Sequence, residues 1–325
     1  MPRLRFPIRS RGLRGSIAGL CALGALVAMP EAALASEKLT DNASNIALKV
    51  DGSGRAVVYF TRNGRRMHPV VWGAMNARHP SRSVAQVRFK VDYSGGYMKL
   101  RRPLWRTIRN QCRPYDGPAL PWLVTACKAP DGSYWALQQF RRLLPNLGLS
   151  PWARHQRARE LHISHWRGET AKLDVWADWV MSIRWHEVFG RLTYLGQPVH
   201  GFSSTSAGSP LDGFGRLVYL DSYNSRLGRG WKRENSFLAQ SPDGRFCYMF
   251  VPRDRYAGYP RGPRRPAANG ERYRLTAGGP GVTPFVMTTV GGLPNFSATN
   301  EQHLALERAL NPIKAALFGD KCFGN

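Results

Sequence analysis

The chain has 325 residues, with 47 Lys and Arg against 21 Asp and Glu, which gives a net charge of +26. This length suffices to bury a large core and suggests about two domains. After residue 35 no stretch is apolar and uncharged for the roughly 20 residues that a membrane-spanning helix needs, so the sequence excludes a helical membrane protein beyond that point.

Residues 1–35 have the pattern of a secretory signal peptide. Five arginines precede an uncharged run of about 14 residues, Ser16 to Met29, which is too short to span a bilayer. Ala33 and Ala35 then supply the small residues that signal peptidase recognises. We therefore predict cleavage before Ser36 and a periplasmic or secreted protein, and an uncleaved N-terminal anchor is the alternative. Cleavage would leave a net charge of +22.

Four cysteines follow the predicted cleavage site, and an even number in an exported chain indicates two disulfides. Three pairings are possible. We favour Cys112–Cys127, which closes a short loop rich in Pro and Gly, and Cys247–Cys322, which would tie the C-terminal tail to a strand. No CxxC pair is present, so we expect no zinc site and no other metal or cofactor.

The first elements in chain order are mostly strands. Residues 55–61 are rich in β-formers, Asn63-Gly64 is a hairpin signal, and Val70–Trp72 is the predicted return strand. Residues 86–93 alternate apolar and charged side chains, as in a half-buried strand. Between Ser133 and Leu144 the apolar spacing changes and predicts a helix of about three turns.

The second half reads as a series of short strands separated by Gly, Pro, Asp and Asn, which favours a β-sandwich over a βαβ sheet. The predicted strands begin near Leu161 and Leu173 and continue as 188–195, 216–220, 236–239, 245–251 and 272–276. A last helix is predicted from a capping pattern at Thr299 and Gln302, with a kink or break at Pro312.

These elements predict a β-rich α+β fold. It would consist of a mixed α+β region, an antiparallel β-sandwich and a C-terminal helix. The predicted boundaries are 1–35 for the signal peptide, 36–150 for a basic α+β domain, 151–280 for the sandwich and 281–325 for the helical tail.

Two turn motifs in the second half resemble those of bacterial immunoglobulin-like or transthyretin-like modules. The residues are Gly196-Gln197-Pro198-Val199-His200-Gly201 and Asp212-Gly213-Phe214-Gly215-Arg216. The resemblance covers residues 169–278. It implies a sandwich with a binding or spacer role, and it carries no catalytic residues.

The sequence offers little that points to catalysis. It has no Gly-x-Ser-x-Gly elbow, no P-loop and no dinucleotide-binding fingerprint. The candidates for an active site are His200, Asp212 and Glu234, which lie with Trp231 in a stretch dense in Gly, Asp, Asn and Tyr. His162 and His165 would point to opposite faces of a strand, so they would not share a metal ion. Whether the protein is an enzyme stays open, and the balance favours a non-catalytic role.

The strongest functional signal is charge. Residues 55–113 carry twelve Arg and two Lys against Asp92 alone, with aromatic residues interleaved, and a second basic cluster spans Arg253–Arg274. Basic residues interleaved with aromatic residues are typical of polyanion binding. The alternative is a basic surface that is only exposed to solvent, with the aromatic residues buried on the other side. The predicted binding residues are Arg101, Arg102, Arg106, Arg109 and Arg113.

We therefore predict an exported, non-catalytic protein that binds an anionic envelope polymer or polysaccharide. Export disfavours nucleic acid as the partner. The alternative is a hydrolase or transferase acting on a cell-wall or extracellular polymer. The sequence makes no prediction of the oligomeric state.

Overall fold

The computed structural model describes residues 36–75, 89–141, 158–180, 183–199, 218–237, 243–251, 269–278 and 283–318. Antiparallel sheets dominate these residues, and a helix follows them near the C-terminus, which confirms the predicted β-rich α+β fold. All of the described residues belong to one compact unit. The predicted domain boundaries stay predictions.

The strands of the first half form two sheets. Sheet A has the strand order β1-β10-β9-β8-β7, and sheet B has the order β2-β3-β5-β6 with β4 paired to β3. Their bounds are β1 Glu37–Asp41, β2 Ser44–Val50, β3 Arg55–Arg62, β4 Arg65–Met67, β5 Val70–Gly73, β6 Phe89–Asp92, β7 Arg113–Pro114, β8 Leu123–Lys128, β9 Tyr134–Arg141 and β10 Arg159–Trp166.

Sheets A and B pack face to face as a sandwich. Phe60 and Val71 of sheet B meet Trp135, Leu137 and Ile163 of sheet A in one buried apolar cluster. The alternation in β3 places Ala56, Val58 and Phe60 in this core, while Val57 and Tyr59 lie on the other face of the sheet. The first region is therefore a sandwich with two short helices, α1 Tyr97–Leu100 and α2 Leu104–Thr107, inserted between β6 and β7.

A second sandwich follows. Sheet C contains β11, β12, β13 and β16, and sheet D has the order β15-β14-β17-β18. The bounds are β11 Lys172–Val180, β12 Trp185–Tyr194, β13 Gln197–Pro198, β14 Val218–Ser225, β15 Gly228–Phe237, β16 Arg245–Met249, β17 Arg272–Gly278 and β18 Phe285–Gly291. Leu173, Val188 and Phe246 of sheet C pack against Leu220 and Leu275 of sheet D. The predicted sandwich of the second half is thus present.

The two sandwiches contact each other through β9 and β18. The Gln138 side chain donates to the carbonyl oxygen of Phe285 (3.1 Å) and accepts from its N–H (2.9 Å). Phe140 packs on Phe285 with ring centroids 4.7 Å apart, and Trp122 and Tyr219 join this apolar contact.

The helix predicted at Ser133–Leu144 is wrong, because residues 134–141 form strand β9. Six consecutive residues of β9 are buried: one face lies in the core between sheets A and B, and the other faces the second sandwich. A strand buried on both faces loses the apolar–polar alternation that identifies strands in a sequence. Ser133 caps no helix and instead donates to Asp131.

The hairpin after Asn63-Gly64 is present, but its return strand is β4 and not Val70–Trp72. Asn63 and Gly64 both have positive φ, at 49° and 75°, as a two-residue hairpin turn requires. The predicted return strand forms β5, which also pairs with β3.

The C-terminal helix α3, Glu301–Phe318, lies on the outer face of sheet C. It begins after Asn300, whose side chain accepts from the N–H groups of Gln302 and His303. Asn300 therefore caps the helix in place of the predicted Thr299. The helix continues through Pro312, so Pro312 does not divide it. The alternative, a kink at Pro312, stays a prediction.

A buried ionic cluster fixes α3 to the sheet. The Lys314 ammonium group lies 2.9 Å from Asp178 Oδ2 and contacts the carboxylate of Glu187. Asp178 and Glu187 face each other across β11 and β12, and all three side chains are buried.

Burial raises the pKa of Glu187 to about 7, despite the attraction of Lys314. The pKa of Lys314 is raised because its two carboxylate neighbours outweigh burial, which lowers it. Glu187 therefore gains its proton near neutral pH.

Candidate functional site

The predicted binding arginines are exposed. Arg101, Arg102, Arg106 and Arg109 lie in the segment of residues 97–113 that connects sheet B to sheet A, and Arg113 lies in the edge strand β7. The described ranges 44–75 and 89–113 together hold twelve Lys and Arg against two Asp. The exposed positions of these side chains are therefore consistent with the cationic surface that the sequence predicts.

Apolar residues explain why this segment presents its arginines to solvent. Leu104 and Ile108 are buried against Val57 and Val70 on the outer face of sheet B. Because one side of the segment covers the sheet, the charged side chains between the apolar ones point away from it. The disulfide Cys112–Cys127, which confirms the first predicted pairing, fixes the end of the segment to β8.

Cations lie over aromatic rings on this surface, at distances where they attract the ring electrons. The pairs are Lys49 over Tyr59 at 5.4 Å, Lys99 over Trp72 at 6.0 Å and Arg106 over Trp105 at 4.8 Å, measured to the ring centroids. We call the surface formed by these six residues together with Arg66, Arg101, Arg102 and Arg109 the basic face.

Trp105 of the basic face stacks on His68, with ring centroids 3.9 Å apart. Burial, followed by the charges of Arg106 and Arg66, lowers the pKa of His68. His68 is therefore neutral at pH 7 and adds no charge. A side chain at Gly95, which has φ of 75°, would meet Trp105 at 2.3 Å, so only glycine leaves room for this stack.

The two acids of these ranges are already engaged. Asp51 pairs with Arg55 at 2.8 Å. Asp92 is buried and accepts from the Ser94 hydroxyl and from the N–H groups of Ser94 and Lys99. Burial alone raises the pKa of Asp92, but these hydrogen bonds outweigh it and hold the pKa below its usual value. Asp92 therefore shapes the turn before α1 and leaves the basic face cationic.

Exposed apolar side chains border the cations. Tyr97 and Met98 in α1 are 54% and 74% exposed. A ligand on the basic face would find ring and thioether contacts beside the guanidinium groups. This combination suits a polymer that carries both charge and apolar ring surfaces.

The candidates for an active site do not come together in the described residues. Glu234 is buried and accepts a hydrogen bond from the Tyr248 hydroxyl at 2.9 Å, inside the second sandwich. Trp231 lies on the other side of β15, against Tyr223. His200, Asp212 and Cys322 lie outside the described residues. Cys247 is in a disulfide.

The sequence did not reveal a chain of hydrogen bonds that runs from Ser36 through His162 to Glu160. The Nδ1 of His162 lies 3.1 Å from Ser36 Oγ, and its Nε2 lies 3.1 Å from Glu160, which also binds Lys38. The order of groups is that of a hydrolytic triad. Ser36 and His162 are both buried, however, so this chain of hydrogen bonds holds β1 against β10 and offers no open nucleophile. His165, on the opposite face of β10, binds Ser133.

A polar pocket of about 650 Å³ lies beside the end of α3 on sheet C. Its charged residues are largely paired with each other: Arg191 with Asp174, and Arg245 with Asp243. Within the described ranges, no three His, Cys, Asp or Glu side chains are placed to hold a metal ion. Nor does that part of the chain contain a helix long and apolar enough to cross a membrane.

Comparisons of the chain with protein-family models, with curated proteins and with solved structures find no match. Of the two turn motifs behind the resemblance to immunoglobulin-like or transthyretin-like modules, the first is described in part. Leu195 and Gly196, both with positive φ, form the turn between β12 and β13. The second motif lies outside the described residues.

Proposed function

We propose that this chain is an exported, non-catalytic protein that binds an anionic polymer of the cell envelope or its surroundings through the basic face. The observation that carries the proposal is the excess of cations around His68 and Trp105, where both nearby acids are engaged elsewhere. Arginine binds carboxylate and phosphate groups in a two-pronged fashion, which suits such a polymer.

Two features support a location outside the cytoplasm. The Cys112–Cys127 disulfide is typical of proteins that fold in an oxidising compartment. The pattern of residues 1–35 predicts export. In that compartment, anionic polysaccharides and phosphate-bearing polymers are more abundant ligands than nucleic acid.

The test is the salt dependence of binding to a simple polyanion. We expect the chain without residues 1–35 to bind dextran sulfate, with neutral dextran of the same length as the control. Raising NaCl from about 50 to about 500 mM shortens the screening length to about 4 Å. The affinity should therefore fall by at least ~10-fold. Equal affinity for the two dextrans, or indifference to salt, would refute the proposal.

A further inference from the structure

A second cationic surface lies on the outer face of sheet D, in the other sandwich. The Arg272 guanidinium carbon lies 4.4 Å from the centre of the Tyr223 ring and 5.7 Å from that of Trp231. The guanidinium carbon of Arg274 lies 4.4 Å from Trp231 and 5.8 Å from Trp122. Arginine and aromatic side chains thus alternate across three strands and reach the first sandwich. We call these five residues the arginine–aromatic strip.

The arginines of this face differ in how their charge is balanced. Asp221 is buried and pairs with Arg233 at 2.9 Å and with Arg274 at 2.8 Å. One carboxylate therefore serves two guanidinium groups. Arg272 is exposed, and its guanidinium group lies over two aromatic rings and forms no ion pair with the described part of the chain.

Stacking prepares Arg272 to bind an anion. A guanidinium group that lies over a ring is held in place through its face, while the N–H groups at its edge remain available. Its side chain then loses less freedom when it binds an oxyanion. The planar fork of N–H donors matches the two oxygens of a carboxylate.

The strip favours a sugar acid over a nucleic acid. Two guanidinium groups lie over Trp231, so a nucleobase would have to displace one of them in order to stack there. The strip also has one unbalanced arginine rather than the row of cations that follows a phosphate backbone. Exposed Arg226, Arg229 and Lys232 on the adjoining hairpin add long-range attraction for a polyanion.

We propose that Arg272 forms a subsite for the carboxylate of a uronic acid unit in an acidic polysaccharide. This inference rests on the proposed function, since it names the polymer class that the protein would select. The basic face would supply general attraction to polyanions. The arginine–aromatic strip would supply the preference for carboxylated sugars.

The test compares Arg272→Lys with Arg272→Ala. Lysine keeps the charge but lacks the planar fork, so we expect both variants to bind an oligogalacturonate about 10-fold more weakly than the parent chain. Binding of dextran sulfate should change less than about 2-fold in both, because the basic face is intact. Arg184→Lys is the matched control, because Arg184 is also exposed and lies over an aromatic ring, Trp185, at 5.7 Å. It should leave both affinities unchanged. Equal unfolding curves would show that the variants remain folded.

Each contrary outcome has a distinct meaning. Parent-like oligogalacturonate binding by Arg272→Lys would overturn the subsite, because charge alone would then suffice. A loss that appears only with a single-stranded DNA oligonucleotide would also overturn it, in favour of nucleic acid. The parent chain could also fail to bind dextran sulfate while the Arg272 variants still lose affinity for oligogalacturonate. In that case the proposed function of the basic face fails and the Arg272 subsite stands.

Discussion

Replacing Lys314 with Met is expected to lower the free energy of unfolding by about 3–5 kcal/mol. The substitution keeps the length of the side chain and removes the cation that Asp178 and Glu187 share. Both side chains would then be buried without a cation beside them, and a buried carboxylate without a counter-ion is costly in a protein interior. Urea unfolding followed by tryptophan fluorescence measures the change, and Lys232→Met, at an exposed lysine, is the control.

A variant that removes the whole cluster separates the ionic effect from lost packing. In the background Asp178→Asn with Glu187→Gln, the same Lys314→Met change should cost no more than about 1.5 kcal/mol, since no buried anion remains. A cost for Lys314→Met that equals that of Lys232→Met, or that is the same in both backgrounds, would contradict the proposed cluster.

The pH dependence of stability gives a further readout of the same cluster. The pKa of Glu187 is raised from its ordinary value of 4.5 to about 7, so the folded protein binds a proton that the unfolded chain releases. The contribution of Glu187 to the free energy of unfolding is therefore lost as pH rises from 4.5 to about 7. The pKa values of His68, His165 and His186 are lowered, mainly by burial, and these groups act in the opposite direction. The diagnostic quantity is therefore the difference between the parent chain and Glu187→Gln, which should grow in favour of the variant between about pH 5 and 7.

Substituting Arg101, Arg102, Arg106 and Arg109 with Gln is expected to weaken dextran sulfate binding by about 100-fold at about 50 mM salt. The estimate assigns about 0.7 kcal/mol to each exposed charge contact. Most of the loss should vanish at about 500 mM salt, where the parent chain also loses these contacts. Stability should change little, because all four side chains are exposed.

The matched control removes the same charge elsewhere. Arg141, Arg159, Arg184 and Arg308 are also exposed and lie outside the basic face. Their joint substitution with Gln lowers the net charge equally. If both quadruple variants lose affinity to the same extent, net charge and not a localised face governs binding.

Some of the fold could be predicted because local rules were sufficient. The Asn63-Gly64 turn requires positive φ at both residues, and few other residue pairs tolerate it. The Cys112–Cys127 loop is short and turn-rich, which favoured that pairing. The arginines of residues 101–109 had to be exposed, since a guanidinium group is rarely buried without a partner.

Other features depend on contacts between distant segments. A lysine on a helix normally indicates an exposed position, and Lys314 is buried only because β11 and β12 place two carboxylates beneath it. The arginine–aromatic strip likewise arises from the register of β14, β15 and β17, which no local pattern determines. Strand β9 was mistaken for a helix because the second sandwich covers the face that would otherwise be polar.

The most direct test of the basic face is an arginine footprint. The folded chain would be treated with an arginine-selective dicarbonyl reagent, with and without dextran sulfate, and modification would be measured at each residue by mass spectrometry. We expect dextran sulfate to protect Arg101, Arg102 and Arg106 while Arg184 and Arg308 remain reactive. Protection spread evenly over all exposed arginines, or absent from the basic face, would contradict the account.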